Sequence, residues 1–207
     1  DMRGATLSRS MGEDTTEKES SRLSGIQVDS CVFDEVGKME SEVVGKAEGR
    51  MGHSTVKRLI YITNPGQPDD FADVLFQQSD QRFFYNKCEC GHEQCAVREF
   101  PKCVKIMADG HGEVVCLKCG RVIPNRSQGL WHADYPKRTG FRRGYQWSHL
   151  SSMFTDPAKI VRDCENPPQG NLSDVMRLHM GLPHQEATDR LSIAAVMERC
   201  GQDVMST

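Results

Sequence analysis

The chain has 207 residues, with 26 Lys and Arg against 29 Asp and Glu for a formal net charge of -3, 37% hydrophobic residues and a mean hydropathy of -0.56. That apolar content is low for a chain packed along its whole length, and no run approaches the roughly 18 apolar residues of a membrane helix or the charged-then-apolar pattern of a signal peptide. A near-balanced charge leaves the question of a nucleic-acid partner to local patches. The nine cysteines are an odd count, and those between 88 and 119 gather at metal-like spacings, unlike the scatter of a secreted disulfide framework. The expectation is an intracellular, soluble protein of a reducing compartment and, beginning on Asp1, a candidate fragment.

Residues 1–55 carry Ser, Thr, Gly and alternating charge in stretches such as GEDTTEKESSR and EVGKMESEVVGKAEGR, with few aromatics. Such a segment buries too little apolar surface to offset its ordering entropy, so a disordered polar region is expected, with at most weakly held short helices. From Thr55 the texture changes. VKRLIYIT reads as a strand, NPGQPDD as a turn and FADVLFQQ as one or two amphipathic helical turns, making residues 56–87 a small α/β extension. Residues 88–126 hold the cysteine-rich block. Residues 127–171 follow as a basic, aromatic arm and a linker punctuated by Pro157, Pro167, Pro168 and Gly170, expected to be extended. In residues 172–207, LSDVMRLHMGLPHQEATDRLSIAAVMERCG reads as two helices broken at Gly181-Leu182-Pro183. Leu182, Leu191, Ala194, Ala195 and Met197 give the second an apolar face that so short a pair cannot bury, as at the start of a larger helical domain.

Within the cysteine-rich block, Cys116-Leu117-Lys118-Cys119 is followed by Gly120, which permits a tight turn after the second sulfur. A zinc ribbon needs two such knuckles, so that four thiolate or imidazole donors close a tetrahedron at about 2.0–2.3 Å. In KCECGHEQC, residues 87–95, His92 and Cys95 are the only pair at two-residue spacing and are the expected first knuckle. Cys88 and Cys90 are close for a standard knuckle and, with Cys103, stand as alternates.

Rival readings of the Cys-x-x-Cys fit less well. A redox pair sits at a strand-to-helix junction, whereas this one lies between the apolar arms Val114-Val115 and Val122-Ile123. A zinc deaminase places its His-x-Glu and Cys-x-x-Cys on separate helices, and here only Val114 and Val115 separate His111-x-Glu113 from Cys116. Free core cysteines would not bring glycine after the pair. The expected cofactor is one structural zinc ion, with four protein ligands and no open position. No nucleophile motif or phosphate-cradling glycine loop occurs, so a binding protein is expected, without enzymatic activity or a small-molecule substrate.

After the knuckle, Arg121, Arg126, Lys137, Arg138, Arg142 and Arg143 stand against Asp134 alone, with Trp131, Tyr135, Phe141, Tyr145 and Trp147 interleaved. Cations supply salt-sensitive phosphate contacts and aromatics stack on bases or guanidinium planes. The bland alternative is a solvated basic loop whose aromatics cover the ribbon.

ADGHGEVVCLKCGRVIPNR resembles the second half of the N-terminal zinc ribbon of the transcription factor IIB family. Downstream, Tyr145-Gln146-Trp147-Ser148 is similar to that family's Trp-containing stretch. Asp156-Pro157-Ala158-Lys159-Ile160-Val161, then Asn166-Pro167 and Leu172-Ser173, resemble its linker, and Gly181-Leu182-Pro183 with Asp189-Arg190 resembles the first helical hairpin of its cyclin-like core. The resemblance covers residues 88–200. The first knuckle is irregular, its distance to Cys116 is longer than the family's, and 127–146 read as containing an insertion.

The expected fold is a small β zinc ribbon flanked by a disordered N-terminal region and a helical C-terminal segment, which the resemblance makes the start of a cyclin-like fold. The resemblance implies a nuclear initiation factor recruiting RNA polymerase II, and the basic stretch read from the residues agrees, making Arg121, Arg126, Lys137, Arg138, Arg142, Arg143 and Trp147 the expected polymerase or nucleic-acid contacts. In the full-length protein it also implies contacts to the TATA-binding protein and promoter DNA, and no membrane. A B-related factor of RNA polymerase III and an unrelated zinc-binding adaptor with a basic arm are the alternatives. An elongation-factor ribbon is disfavoured, since Asp109-Gly110-His111 offers one carboxylate where that chemistry needs an acidic pair.

Overall fold

The computed structural model of the chain describes residues 27–186, which divide into two compact units between Thr63 and Asn64. In the first, β1 (Ser30–Asp34) is followed by α1 (Ser41–Gly49) and β2 (Arg58–Ile62). The strands pair in parallel, from Ser30 opposite Arg58 to Asp34 opposite Ile62. Parallel strands need a crossover, and α1 supplies it. Its inner positions Val44 and Ala47 are buried together with Phe33, Val36 and Met51, and Phe33 stacks on Tyr61 with ring centroids 5.3 Å apart. Residues 27–55 therefore depart from the polar, unstructured expectation. Their few apolar side chains are spaced to meet across the crossover, which overall composition conceals. Residues 1–26 lie outside the described residues.

The second unit runs in order through α2 (Phe71–Gln77), β3 (Arg82–Lys87), β4 (Glu93–Gln94), α3 (Ala96–Glu99), β5 (Val104–Ile106), β6 (Gly112–Val114), β7 (Leu130–Ala133), α4 (Pro157–Glu165) and α5 (Leu172–Leu178). β3 is central in an antiparallel sheet, with β4 on one side and β7 on the other. Asn86 faces Gln94, and Phe84 faces Trp131. β5 and β6 form a separate hairpin, Val104 opposite Val114. Phe83, Val97, Val114, Ile123, Leu150 and Ile160 come together as the core. None of the described helices is long and apolar enough to cross a membrane.

Two parts of residues 127–171 differ from the aperiodic arm and extended linker expected of them. Residues 130–133 are β7, held by β3. Residues 157–165 are helical, because Asp156-Pro157 is a start signal: Pro157 occupies the first turn, where its missing N–H costs nothing, and the Asp156 carboxylate accepts from Ala158 N at 2.9 Å. That carboxylate also accepts from Gly112 N at 2.8 Å, joining α4 to β6. Any Cβ on Gly112 would lie 2.1 Å from Ala158 N, so this helix start can press on the strand only where the residue is glycine. In the tail, α5 begins on an Asn171 cap and the chain turns at Gly181, φ +64°. Leu182 packs against the core. The second tail helix, with Leu191, Ala194, Ala195 and Met197, lies outside the described residues.

Candidate metal centre

Two hairpin loops are built alike. The first joins β3 to β4: Cys88 N donates to His92 O and Gly91 N to Cys88 O, each at 2.8 Å, with Gly91 at φ +83°. The second follows β6 and is closed by the Val115–Val122 bridge: Cys116 N donates to Arg121 O and Gly120 N to Cys116 O, each at 2.8 Å, with Gly120 at φ +73°. A left-handed residue completes each turn, a conformation glycine adopts without a Cβ clash.

The sulfurs of Cys88, Cys90, Cys116 and Cys119 all lie within 4.8 Å of one another. Between the loops, Cys88 and Cys119 Sγ are 3.6 Å apart and Cys90 and Cys116 Sγ 3.7 Å. All four thiols are free. Four sulfurs at about 2.3 Å from one tetrahedral ion would stand about 3.8 Å apart, so the cluster has the dimensions to hold a single metal ion.

Its electrostatics agree. At Cys116 burial works against ionisation, but the amides of Cys119 and Lys118 and the thiols of Cys88 and Cys119 donate to the sulfur and bring it down to about 7. At Cys88 the Cys90 amide favours the thiolate, yet burial and the three neighbouring thiols prevail and push it up to about 12. One thiolate forms readily and suppresses the next. A cation is what allows several to ionise together.

The cluster thus brings together Cys88 and Cys90 from the first loop, and the expected pair His92 and Cys95 is not part of it. His92 enters its loop through the backbone carbonyl that receives Cys88 N. Cys95 heads α3, facing the core, and burial raises its thiol. Cys103 is fully buried, donates to Ala96 O at 3.3 Å, and is pushed up to about 12 by desolvation. Both are packing residues.

Gln94 is the side chain with no signal in the sequence. Buried at the end of β4, it donates from Nε2 to Val115 O at 2.9 Å and accepts at Oε1 from Leu117 N at 2.9 Å. It thus ties the first hairpin to the second loop, both ends of its amide satisfied. Nothing in local spacing marks such a residue; only the meeting of two distant loops does.

The basic residues divide sharply. Arg121 pairs with Glu89 at 3.5 Å, both well exposed, a contact of small energetic weight. Arg126, expected as a surface cation, is 4% exposed. Its Nη2 donates to Thr155 O at 3.0 Å, its amide to Met153 Sδ at 3.3 Å, and its Nη1 is buried with no partner among the described residues. Burial pulls its pKa down, while the fields of Glu113 and Asp156 favour the charge. Arg126 is thus a packing residue against the 153–155 segment. Arg138 donates to Gln77 O at 2.7 Å and lies 4.2 Å over Tyr135, and Arg142 donates to Gln78 Oε1 at 3.1 Å, so both are occupied at the C-terminal end of α2. Lys137 and Arg143 are exposed, and Trp147 is half-exposed.

Neither a family model, a curated protein nor a solved structure matches this chain. Its function has to be read from its own residues.

Proposed function

We infer that this chain is a non-catalytic binding module whose second unit is organised by one structural zinc ion, ligated by Cys88, Cys90, Cys116 and Cys119. The observation that carries this reading is the convergence of four free thiols, from loops 26 or more residues apart, at separations suited to one tetrahedral ion. Four protein sulfurs leave no coordination position for water or substrate, which favours a structural role over a catalytic one, and zinc is the metal most at home in such a set.

The specific form of this reading is the one implied by the resemblance to transcription factor IIB: a nuclear factor that recruits RNA polymerase II during initiation. It rests on Cys116-x-x-Cys119-Gly120 with its apolar arms and on the Asp156-Pro157 and Asn166-Pro167 stretch. The buried Arg126 cannot serve as its polymerase contact, so the exposed Arg121, Lys137, Arg143 and Trp147 would have to carry it.

The test has two stages. Elemental analysis of the purified chain should find about one zinc per molecule, released when Cys90 or Cys116 becomes serine; full zinc in either variant sinks the metal assignment. Zinc-loaded protein is then incubated with purified RNA polymerases II and III. Capture of II alone upholds the initiation reading, capture of III alone moves it to the B-related factor, and capture of neither leaves a zinc-held adaptor.

A further inference from the structure

A second surface lies on the outward face of the β3 sheet, and the metal site makes no use of it. Phe83 points into the core, so its neighbour Phe84 points to the opposite face. There Phe84 meets Trp131 at 5.0 Å and Trp147 at 5.5 Å between ring centroids, and Trp131 meets Tyr145 at 5.1 Å and Trp147 at 5.7 Å. The 143–147 segment runs beside β3, with Arg82 N donating to Gly144 O at 2.7 Å and Gln146 N to Arg82 O at 2.9 Å. Its side chains alternate: Tyr145 and Trp147 are each 50% exposed while Gln146 and Ser148 are buried. Arg143 shares the exposed set. Gly144 holds the other side inward, since a Cβ there would lie 2.0 Å from Ser79 Oγ.

Exposing aromatic rings side by side is costly unless something stacks on them. The rings touch one another, so they leave no gap in which to enclose an ammonium group and form a platform, not a cage. Charge narrows the occupant further. Residues 82–87, 130–133 and 143–147 contain Arg82, Lys87 and Arg143 and no carboxylate, and residues 134–143 add Lys137, Arg138 and Arg142 against Asp134. Arg82 sits 5.6 Å over the Tyr145 ring and is neutralised by buried Asp80 at 2.8 Å, which leaves Arg143 as the cation on the platform itself. A ligand that offers flat rings and negative charge together suits this surface. In a duplex those rings are stacked inside, out of reach.

We propose that Trp131, Tyr145 and Trp147, with Arg143 beside them, form a stacking platform for single-stranded nucleic acid. Bases lie on the exposed rings and the phosphates run past Arg143. The proposal extends beyond the zinc reading and does not rest on it.

The chain's two tryptophans are both in this cluster, so intrinsic fluorescence reports on it directly. Zinc-loaded full chain is titrated with deoxythymidine and uridine oligomers of about 12 nucleotides, within the usual site sizes, and with a duplex of the same length. Either single strand should quench the fluorescence and bind more tightly than the duplex, the comparison of the two reporting any preference for DNA or RNA. By anisotropy, Tyr145→Ala and Trp147→Ala should each weaken binding about five-fold or more, and Arg143→Glu should reduce the salt slope by at least about one, with zinc content and circular dichroism unchanged. Binding to duplex as tight as to single strand, or affinity that the ring variants leave intact, overturns the proposal. So does quenching by a proline-rich peptide without any by oligonucleotide. Full zinc with no oligonucleotide binding at low salt defeats this proposal alone; binding without zinc defeats only the metal reading.

Discussion

The two cysteine loops perform the same geometric task with different numbers of residues. In both, glycine in the left-handed region closes the turn onto the carbonyl of the first cysteine, and the first cysteine's amide reaches across to the residue after the glycine. The Cys88 loop does this with a three-residue step from Cys88 to Gly91 and holds its cysteines two apart. The Cys116 loop takes a four-residue step from Cys116 to Gly120 and holds them three apart. What the loops share is hairpin closure on a positive-φ glycine, so closure is a better guide to a thiolate pair than the spacing between the sulfurs. Arg126, downstream of the second loop, is buried against the 153–155 segment, and its carbonyl accepts from Asn86 on β3, the strand that leads into the first loop.

The equivalence of the loops is tested most severely at the ligands. Cys90→Ser and Cys116→Ser should each release the metal and abolish cooperative unfolding of residues 64–186, followed by metal analysis and thermal circular dichroism, because a structural site's binding energy is folding energy. Cys95→Ala should keep the metal and lose only packing. If Cys95→Ala releases metal as fully as Cys90→Ser, the two-loop site is wrong.

Arg126→Ala probes the packing that surrounds both loops. The change removes the donor to Thr155 O and a buried side chain's packing, so it should cost about 2–3 kcal/mol in denaturant titrations while one equivalent of metal remains bound. A loss below about 0.5 kcal/mol would return Arg126 to the surface.

Gln94→Leu tests the tie between the loops. It strands Val115 O and Leu117 N and should destabilise by about 1–3 kcal/mol. Hydrogen exchange at Leu117 N should quicken, and unchanged protection there would show the tie to be incidental.

Gly91→Ala and Gly120→Ala are the finest comparison. Both residues have positive φ and open space where a Cβ would go, so each substitution should cost about the same, about 1–2 kcal/mol, from backbone strain alone. A large difference between them would mean that the shorter loop is held by something besides its turn.

Much of the site was legible along the chain. Cys116-x-x-Cys119-Gly120 between apolar arms was readable because its ligands, its turn and its strands are local. Cys90-Gly91 carried the same mark, but ranking by two-residue spacing favoured His92 and Cys95, and the spacing rule describes only one of the two closures this protein uses. The Asp156-Pro157 helix start was also present in the sequence. Surrounding prolines and glycines obscured it, although proline in a first turn favours a helix.

The sequence by itself determined where thiols, glycines, basic residues and aromatics cluster, since those are properties of residue type and short spacing. The tertiary structure decided which cysteines converge and which fill the core, because convergence depends on how two hairpins some 26 residues apart are held together, here through Gln94. It decided likewise that Arg126 is buried, that Arg138 and Arg142 hold the end of α2, and that Arg143, Tyr145 and Trp147 face outward together. A charged side chain's role is set by what surrounds it in space, and a run of arginines reads the same along the chain whether its members are solvated or packed.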